Sequence, residues 1–178
     1  MASTQQGVNQ PRLRVSRTTD LVLSTTWQTV ILNGVEPLNV NTFGKDPNSN
    51  NPLVHYDTAN SLFRFYEQYD VNYNVTLYMK VTSTIVGTGV TLQYRMVVPN
   101  GGGAGVDTSF PFPTSGGYAD ITYVAMKVGA VMNIERPISM YLSNSIRNNG
   151  VRFQLRLSDT LLGVGNITVN NTAVLIQQ

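Results

Sequence analysis

His55 is the single histidine of this chain, so any hydrolytic triad would have to run through it. Asp57 lies two residues on and therefore on the same face of a strand, where a carboxylate can orient an imidazole. No serine stands in a nucleophile elbow, and His55 is expected to be a surface or half-buried histidine. Asp46, Asn48 and Asn50 have the first, third and fifth spacing of a calcium loop, with Asp57 at the twelfth position. Pro47 interrupts that loop, and Asn51 stands where the sharp turn asks for glycine. The expectation is a turn held by local Asn and Asp hydrogen bonds, with no metal. One His and no Cys also leave no cluster for a transition metal. Gly101-Gly102-Gly103-Ala104-Gly105 resembles a phosphate cradle only superficially, since no Lys-Ser/Thr follows it and no helix opens there. It is expected to connect strands. Arg12, Arg14 and Arg17 could touch nucleic acid, yet binding by counterion release needs many more cations. No cofactor and no specific nucleic-acid partner are expected.

The composition says what must position these residues. The 178 residues carry 12 basic and 10 acidic side chains, a net charge of +2. Only 12% of residues are charged, against about 25% in an average soluble domain. Polarity comes instead from Asn, Thr, Ser and Gln. Helix-favouring Ala, Glu and Lys are scarce, while β-branched and aromatic residues are plentiful. An all-β domain follows. The first residues, Met1-Ala2-Ser3-Thr4-Gln5-Gln6-Gly7, lack the basic and apolar regions of a secretory signal. No apolar run is long enough for a membrane-spanning helix, so no membrane partner is expected. The triplets Asn74-Val75-Thr76, Asn166-Ile167-Thr168 and Asn170-Asn171-Thr172 are read as chance in an Asn/Thr-rich chain.

Along the chain, residues 1–19 read as an extended N-terminal arm, polar and marked by Pro11. Its Arg12, Leu13, Arg14, Val15 and Arg17 are the expected contacts to a neighbouring protein. Residues 20–178 read as one domain of strands and turns. A first strand is expected over Trp27–Leu32, followed by a polar loop over residues 33–52. Short strands follow near Leu53–Tyr56 and Ser61–Tyr66. Val71, Tyr73, Val75, Leu77, Met79 and Val81 then alternate with polar residues, a period of two that marks one buried and one wet face. Val90 to Val98 repeats the pattern. A Gly/Pro-rich loop over residues 99–117 leads to a strand over Tyr118–Val128 and another over Ile138–Ser143. Val151, Phe153, Leu155 and Leu157 alternate with Arg152, Gln154 and Arg156 after the turn Asn148-Asn149-Gly150. Ile167–Ile176 closes the chain. No helix is expected. About eight to ten strands in this length favour a single jelly-roll β-sandwich of two antiparallel sheets.

The segment Val54-His55-Tyr56-Asp57, then Leu62-Phe63-Arg64-Phe65, then Tyr73 through Val81 resembles the middle of the tumour-necrosis-factor/complement-type jelly roll. Asn149 through Leu157 and the final Thr172-Ala173-Val174-Leu175-Ile176 resemble its end. That resemblance implies a homotrimer with one sheet packed around the threefold axis. Tyr73, Leu77, Met79, Phe153 and Leu155 are the expected core or axis positions. Phage and virus particles use this fold for capsid decoration proteins, fibre tips and spikes. The resemblance therefore implies a non-enzymatic bacteriophage virion protein made in the host cytoplasm. It would decorate or cement the capsid exterior, bound through its arm to the major capsid protein or other virion proteins. A receptor-binding fibre or spike tip, whose loops meet a host receptor, is the alternative. A shell-forming coat of a small icosahedral virus is the second.

Overall fold

The computed structural model describes residues 11–17, 19–33, 40–69, 71–84, 91–99, 107–109, 119–121, 131–159 and 165–178. Its strands are β1 (Arg12–Arg17), β2 (Leu21–Val22), β3 (Gln28–Thr29), β4 (Val40–Asn41), β5 (Val54–Asp57), β6 (Leu62–Phe65) and β7 (Asn72–Ser83). After these come β8 (Leu92–Pro99), β9 (Asp107–Ser109), β10 (Ala119–Ile121) and β11 (Val131–Tyr141). A short helix α1 (Asn144–Asn149) precedes β12 (Arg152–Leu157) and β13 (Ile167–Gln177).

Two sheets carry the architecture. One has the order β11-β7-β13-β1-β4 with β2 appended to β13, and the other runs β10-β8-β12-β3 with β9 appended to β8. All pairings within them are antiparallel. The chain passes back and forth between the layers, so that β7 sits between β11 and β13 while β8 sits between β10 and β12. That interleaved order is a jelly roll. It is a single all-β sandwich.

Alternation in the sequence decides which side chains meet between the layers. In β7, Tyr73, Val75, Leu77, Met79 and Val81 are buried, while Asn72, Asn74 and Lys80 face outward. In β12, Phe153, Leu155 and Leu157 point in, opposite Met96, Tyr94 and Leu92 of β8. A cluster of rings fills one end of the sandwich. Phe63 meets Phe153 edge-on at 6.1 Å, and Tyr73 lies 5.4 Å from Phe65 and 6.0 Å from Phe43. Edge-to-face packing of this kind adds to the area that the rings bury. Tyr73 Oη is buried with no hydrogen-bond partner among the described residues. Burial, reinforced by the charge of Glu67, raises the phenol pKa far above its ordinary value.

The structure departs from the sequence expectations at several elements. The Trp27–Leu32 strand shrinks to Gln28–Thr29. The strand expected over Ile138–Ser143 begins seven residues earlier, at Val131. Pro137 sits inside β11, which pairs with β7 on one side and, among the described residues, forms the end of its sheet. An edge strand tolerates a proline because the missing N–H need not face a neighbour. The turn at Asn148-Asn149-Gly150 is instead the end of α1, capped at its start by Ser143, whose Oγ accepts from Ile146 N. Of the strand expected over Tyr118–Val128, only β10 falls within the described residues. The glycine run 101–105 and most of the loop over 99–117 lie outside them.

Candidate functional site

The segment expected as an arm is built into the domain. Residues 1–10 lie outside the described residues, but Arg12–Arg17 form a strand inside the larger sheet. It pairs with β13 from Arg12–Gln177 to Arg17–Thr172, and on its other edge with β4. A domain boundary at residue 19 would therefore cut the sandwich. Leu13 and Val15 are only 4% and 5% exposed, so they belong to the subunit's own core and do not reach a neighbouring protein. The Arg17 guanidinium folds back to donate to the carbonyls of Thr19 and Asp20. Burial pulls its pKa down, and Asp20 partly offsets this. Of the expected contacts, only exposed Arg12 and half-buried Arg14 present themselves at the surface.

Tyr73, Leu77, Met79, Phe153 and Leu155 are all buried between the sheets, none more than 3% exposed. Their side chains fill one subunit and leave nothing for an axis. The outer face of the same sheet is polar instead, with Asn72, Asn74, Lys80, Asn133, Glu135 and Ser139 exposed.

Asp46 is spent on its own turn. Its carboxylate accepts from Asn48 N, Ser49 N and Ser49 Oγ, the last at 2.6 Å. The Ser49 hydroxyl is the main reason its pKa is lowered. Asp57 accepts from Asn60 N and Nδ2 and pairs with Arg64 at 3.4 Å. The carboxylates of the suggested calcium loop thus have separate protein partners, and no group of metal-binding side chains occurs among the described residues.

His55 stacks on Tyr66, with ring centroids 5.3 Å apart and planes 8° from parallel. Its Nδ1 is buried without a hydrogen-bond partner among the described residues, and Asp57 turns to Asn60 and Arg64 rather than orienting the imidazole. Burial lowers the His55 pKa below its ordinary 6.5, against smaller opposing effects from the Pro52 carbonyl and Asp57. Below pH 6.5 the unfolded chain takes up a proton that the folded chain resists, so stability falls as the solution is acidified. The lowered carboxylates of Asp46 and Asp57 lose their contribution only near and below 3.8. Urea midpoints should therefore decline between about pH 6.5 and 5, and His55→Gln should flatten that decline. An unchanged slope in the variant would assign it to another group.

Sequence reasoning missed the outer face of the second sheet. Trp27 lies between two guanidinium groups, Arg95 at 4.2 Å and Arg156 at 4.4 Å from its ring. Arg95 Nε donates to Gln154 Oε1 at 2.8 Å, and Arg156 Nε donates to Gln93 Oε1 at 2.7 Å. These partners sit directly across the β8–β12 ladder, so the pattern was legible as Gln93-x-Arg95 against Arg152-x-Gln154-x-Arg156. The ladder stiffens the face through cross-strand pairs and cation–π contact. The exposed large apolar side chains are spread over the surface, Val22 and Ile31 among them at 50% and 55%. Val131 and Tyr141, at the two ends of edge strand β11, are 56% and 51% exposed, and Tyr69 is 75% exposed.

No protein-family model and no curated protein matches the chain. Solved structures similar to it include the PRD1 vertex protein P5, at 13% identity and a TM-score of 0.46, over 92% of this chain and 72% of that one. Another is the Eiger TNF from S. frugiperda, at 9% identity and 0.41, over 94% and 93%. A third is the infectious bursal disease virus Gx strain, at 6% and 0.33, over 94% of this chain and 29% of that one. Likenesses this distant leave the function to be argued from the chain's own residues.

Proposed function

We propose that this chain is a non-enzymatic structural protein of a virus particle, a jelly-roll subunit that decorates or cements a phage capsid from outside. The observation that supports the reading is the strand order, β11-β7-β13-β1 against β10-β8-β12-β3, an architecture that recurs in viral capsid and lectin domains. Fold alone does not fix function, so the reading stands on what the surface offers an assembly. The partners are further copies of the chain and the major capsid protein, and the place of synthesis is the host cytoplasm. The subunits form a trimer through the β11 edge, where Val131, Tyr141 and Tyr69 supply exposed apolar area and the strand has no further neighbour among the described residues. Attachment to the shell uses the residues that precede β1, together with exposed Arg12 at its start. Three such attachments on one trimer act with avidity, so weak individual contacts suffice.

Light scattering of the purified protein tests the assembly. A mass about three times the 19.5 kDa subunit is expected. Megadalton particles would make it a shell-forming coat instead, and a stable monomer would remove the trimer. Deleting residues 1–10 should then abolish cosedimentation with shells while leaving the trimer intact. A longer deletion would remove β1 and unfold the sheet. If the shortened trimer still saturates shells, attachment runs through another surface.

A further inference from the structure

The larger sheet carries a groove on its outer face, about 490 Å³ in volume. Strand register explains it. One row across four strands reads Glu135, Tyr78, Ala173, Ser16, and the next reads Asn133, Lys80, Asn171. Small side chains at Ala173 and Ser16 leave the floor low, and both are buried although they face away from the core. β13 is also irregular here, its register with β7 shifting between Val169 and Asn171. Asn170 is pinned at the irregularity by Thr82 at 2.7 Å and by Asp20 at 3.1 Å. The rim is therefore held by a sheet rather than by loops, which gives a preformed site.

We infer that this groove binds an acidic oligosaccharide. Arg14 at one end and Lys80 at the other supply two cations against the one carboxylate of Glu135, while Arg17, also in the lining, is tied to the Thr19 and Asp20 carbonyls. Among the described residues, none of the Arg14, Lys80 and Glu135 side chains has a hydrogen-bond or ion-pair partner; the Glu135 main-chain carbonyl accepts from the Arg136 side chain. The amides of Asn133 and Asn171 are equally uncommitted and suit a ligand rich in hydroxyls, which both donate and accept. Half-buried Tyr78 offers a ring against which the apolar face of a sugar can lie. Size selects an oligomer. Arg14 stands level with Thr76 on β7, four residues from Lys80 and two strands away. At about 3.4 Å per residue and 4.8 Å per strand, the Cα atoms of the two are about 17 Å apart. A groove of about 490 Å³ with its cations rooted that far apart is larger than one sugar ring and suits a short chain with carboxylates. The site lies within one subunit, so it stands whether or not the virion reading does.

The test titrates the full chain with a trisaccharide of uronic acid, a trisaccharide of sialic acid, the neutral maltotriose and a hexaglutamate peptide, followed by calorimetry and NMR. At least one acidic trisaccharide should bind, and maltotriose should not. Lys80→Ala and Arg14→Ala should each weaken binding roughly tenfold, the scale of one charge-assisted contact. Lys80 is exposed, so its variant keeps the fold, and thermal melts check that Arg14→Ala does too. No binding by either acidic trisaccharide would overturn the proposal. So would unchanged affinity in a folded Lys80→Ala, or equal binding of hexaglutamate, which would mark a mere charge effect.

Discussion

Phe153→Ala should cost about 3–5 kcal/mol of folding stability, the range for emptying a well-packed aromatic site. Phe153 is 2% exposed, sits on the central strand pair β8–β12, and meets Phe63 edge-on. Removing it leaves a void between sheets whose backbones are tied by ladders on both sides, so the site collapses poorly. For a chain of this size the loss corresponds to a fall of about 10 °C or more in Tm. A domain has only about 5–15 kcal/mol to lose, so the variant will be partly unfolded at modest denaturant concentration. Ile31→Ala, at a side chain 55% exposed, should stay within about 0.5 kcal/mol. Urea unfolding of both variants at one protein concentration separates the two cases. A loss below about 1 kcal/mol at Phe153 would mean that its ring does not lie in the core.

The difference between these two positions is partly legible in the sequence. Val71 to Thr82 and Val151 to Leu157 alternate so regularly that only strands with one buried face satisfy them, and β7 and β12 lie there. β1 shows where such reading stops. Arg12-Leu13-Arg14-Val15 also alternates, but alternation does not say which strand lies beside it. Its partner β13 is more than 150 residues away in sequence, and pairing over that distance is decided by the whole topology. Three arginines near the beginning suggested an arm. In the fold, one of them is turned inward to cap the strand's end. β11 was shortened for a different reason: Pro137 reads as a breaker, and only the knowledge that the strand is an edge removes the objection. Met132, Ile134, Ile138 and Met140 do alternate there. α1 is hard to read in sequence because its six residues, Asn-Ser-Ile-Arg-Asn-Asn, bury only Ile146 and, Arg147 apart, are not strong helix formers. The groove was invisible in sequence, since it is made by register across four strands, and a slip of one residue in β1 would dismantle it.

Gly150→Ala should cost about 3 kcal/mol or more, although it adds a single methyl group. Gly150 ends α1, with its N–H donating to Ile146 O at 2.7 Å, and adopts φ 74 and ψ −175. That combination is essentially confined to glycine, and holding another residue there costs about 1–3 kcal/mol. Space is the second obstacle. A Cβ at this position would stand 2.6 Å from the Phe63 carbonyl oxygen. That oxygen cannot retreat cheaply, because Phe63 and Val151 exchange hydrogen bonds at 2.8 and 3.0 Å. Moving it would break the bridge that joins β6 to the start of β12 and shift Phe63 away from Phe153. Gly44 is the control. A Cβ there meets only Leu53 Cδ1 at 3.8 Å, ordinary contact, and no positive φ is involved. Gly44→Ala should be neutral or stabilising by up to about 1 kcal/mol, through a less flexible unfolded chain. Equal midpoints for the two alanine variants would show that the turn after α1 relaxes freely; a large loss at residue 150 alone would tie the helix, the bridge and the aromatic cluster into one unit.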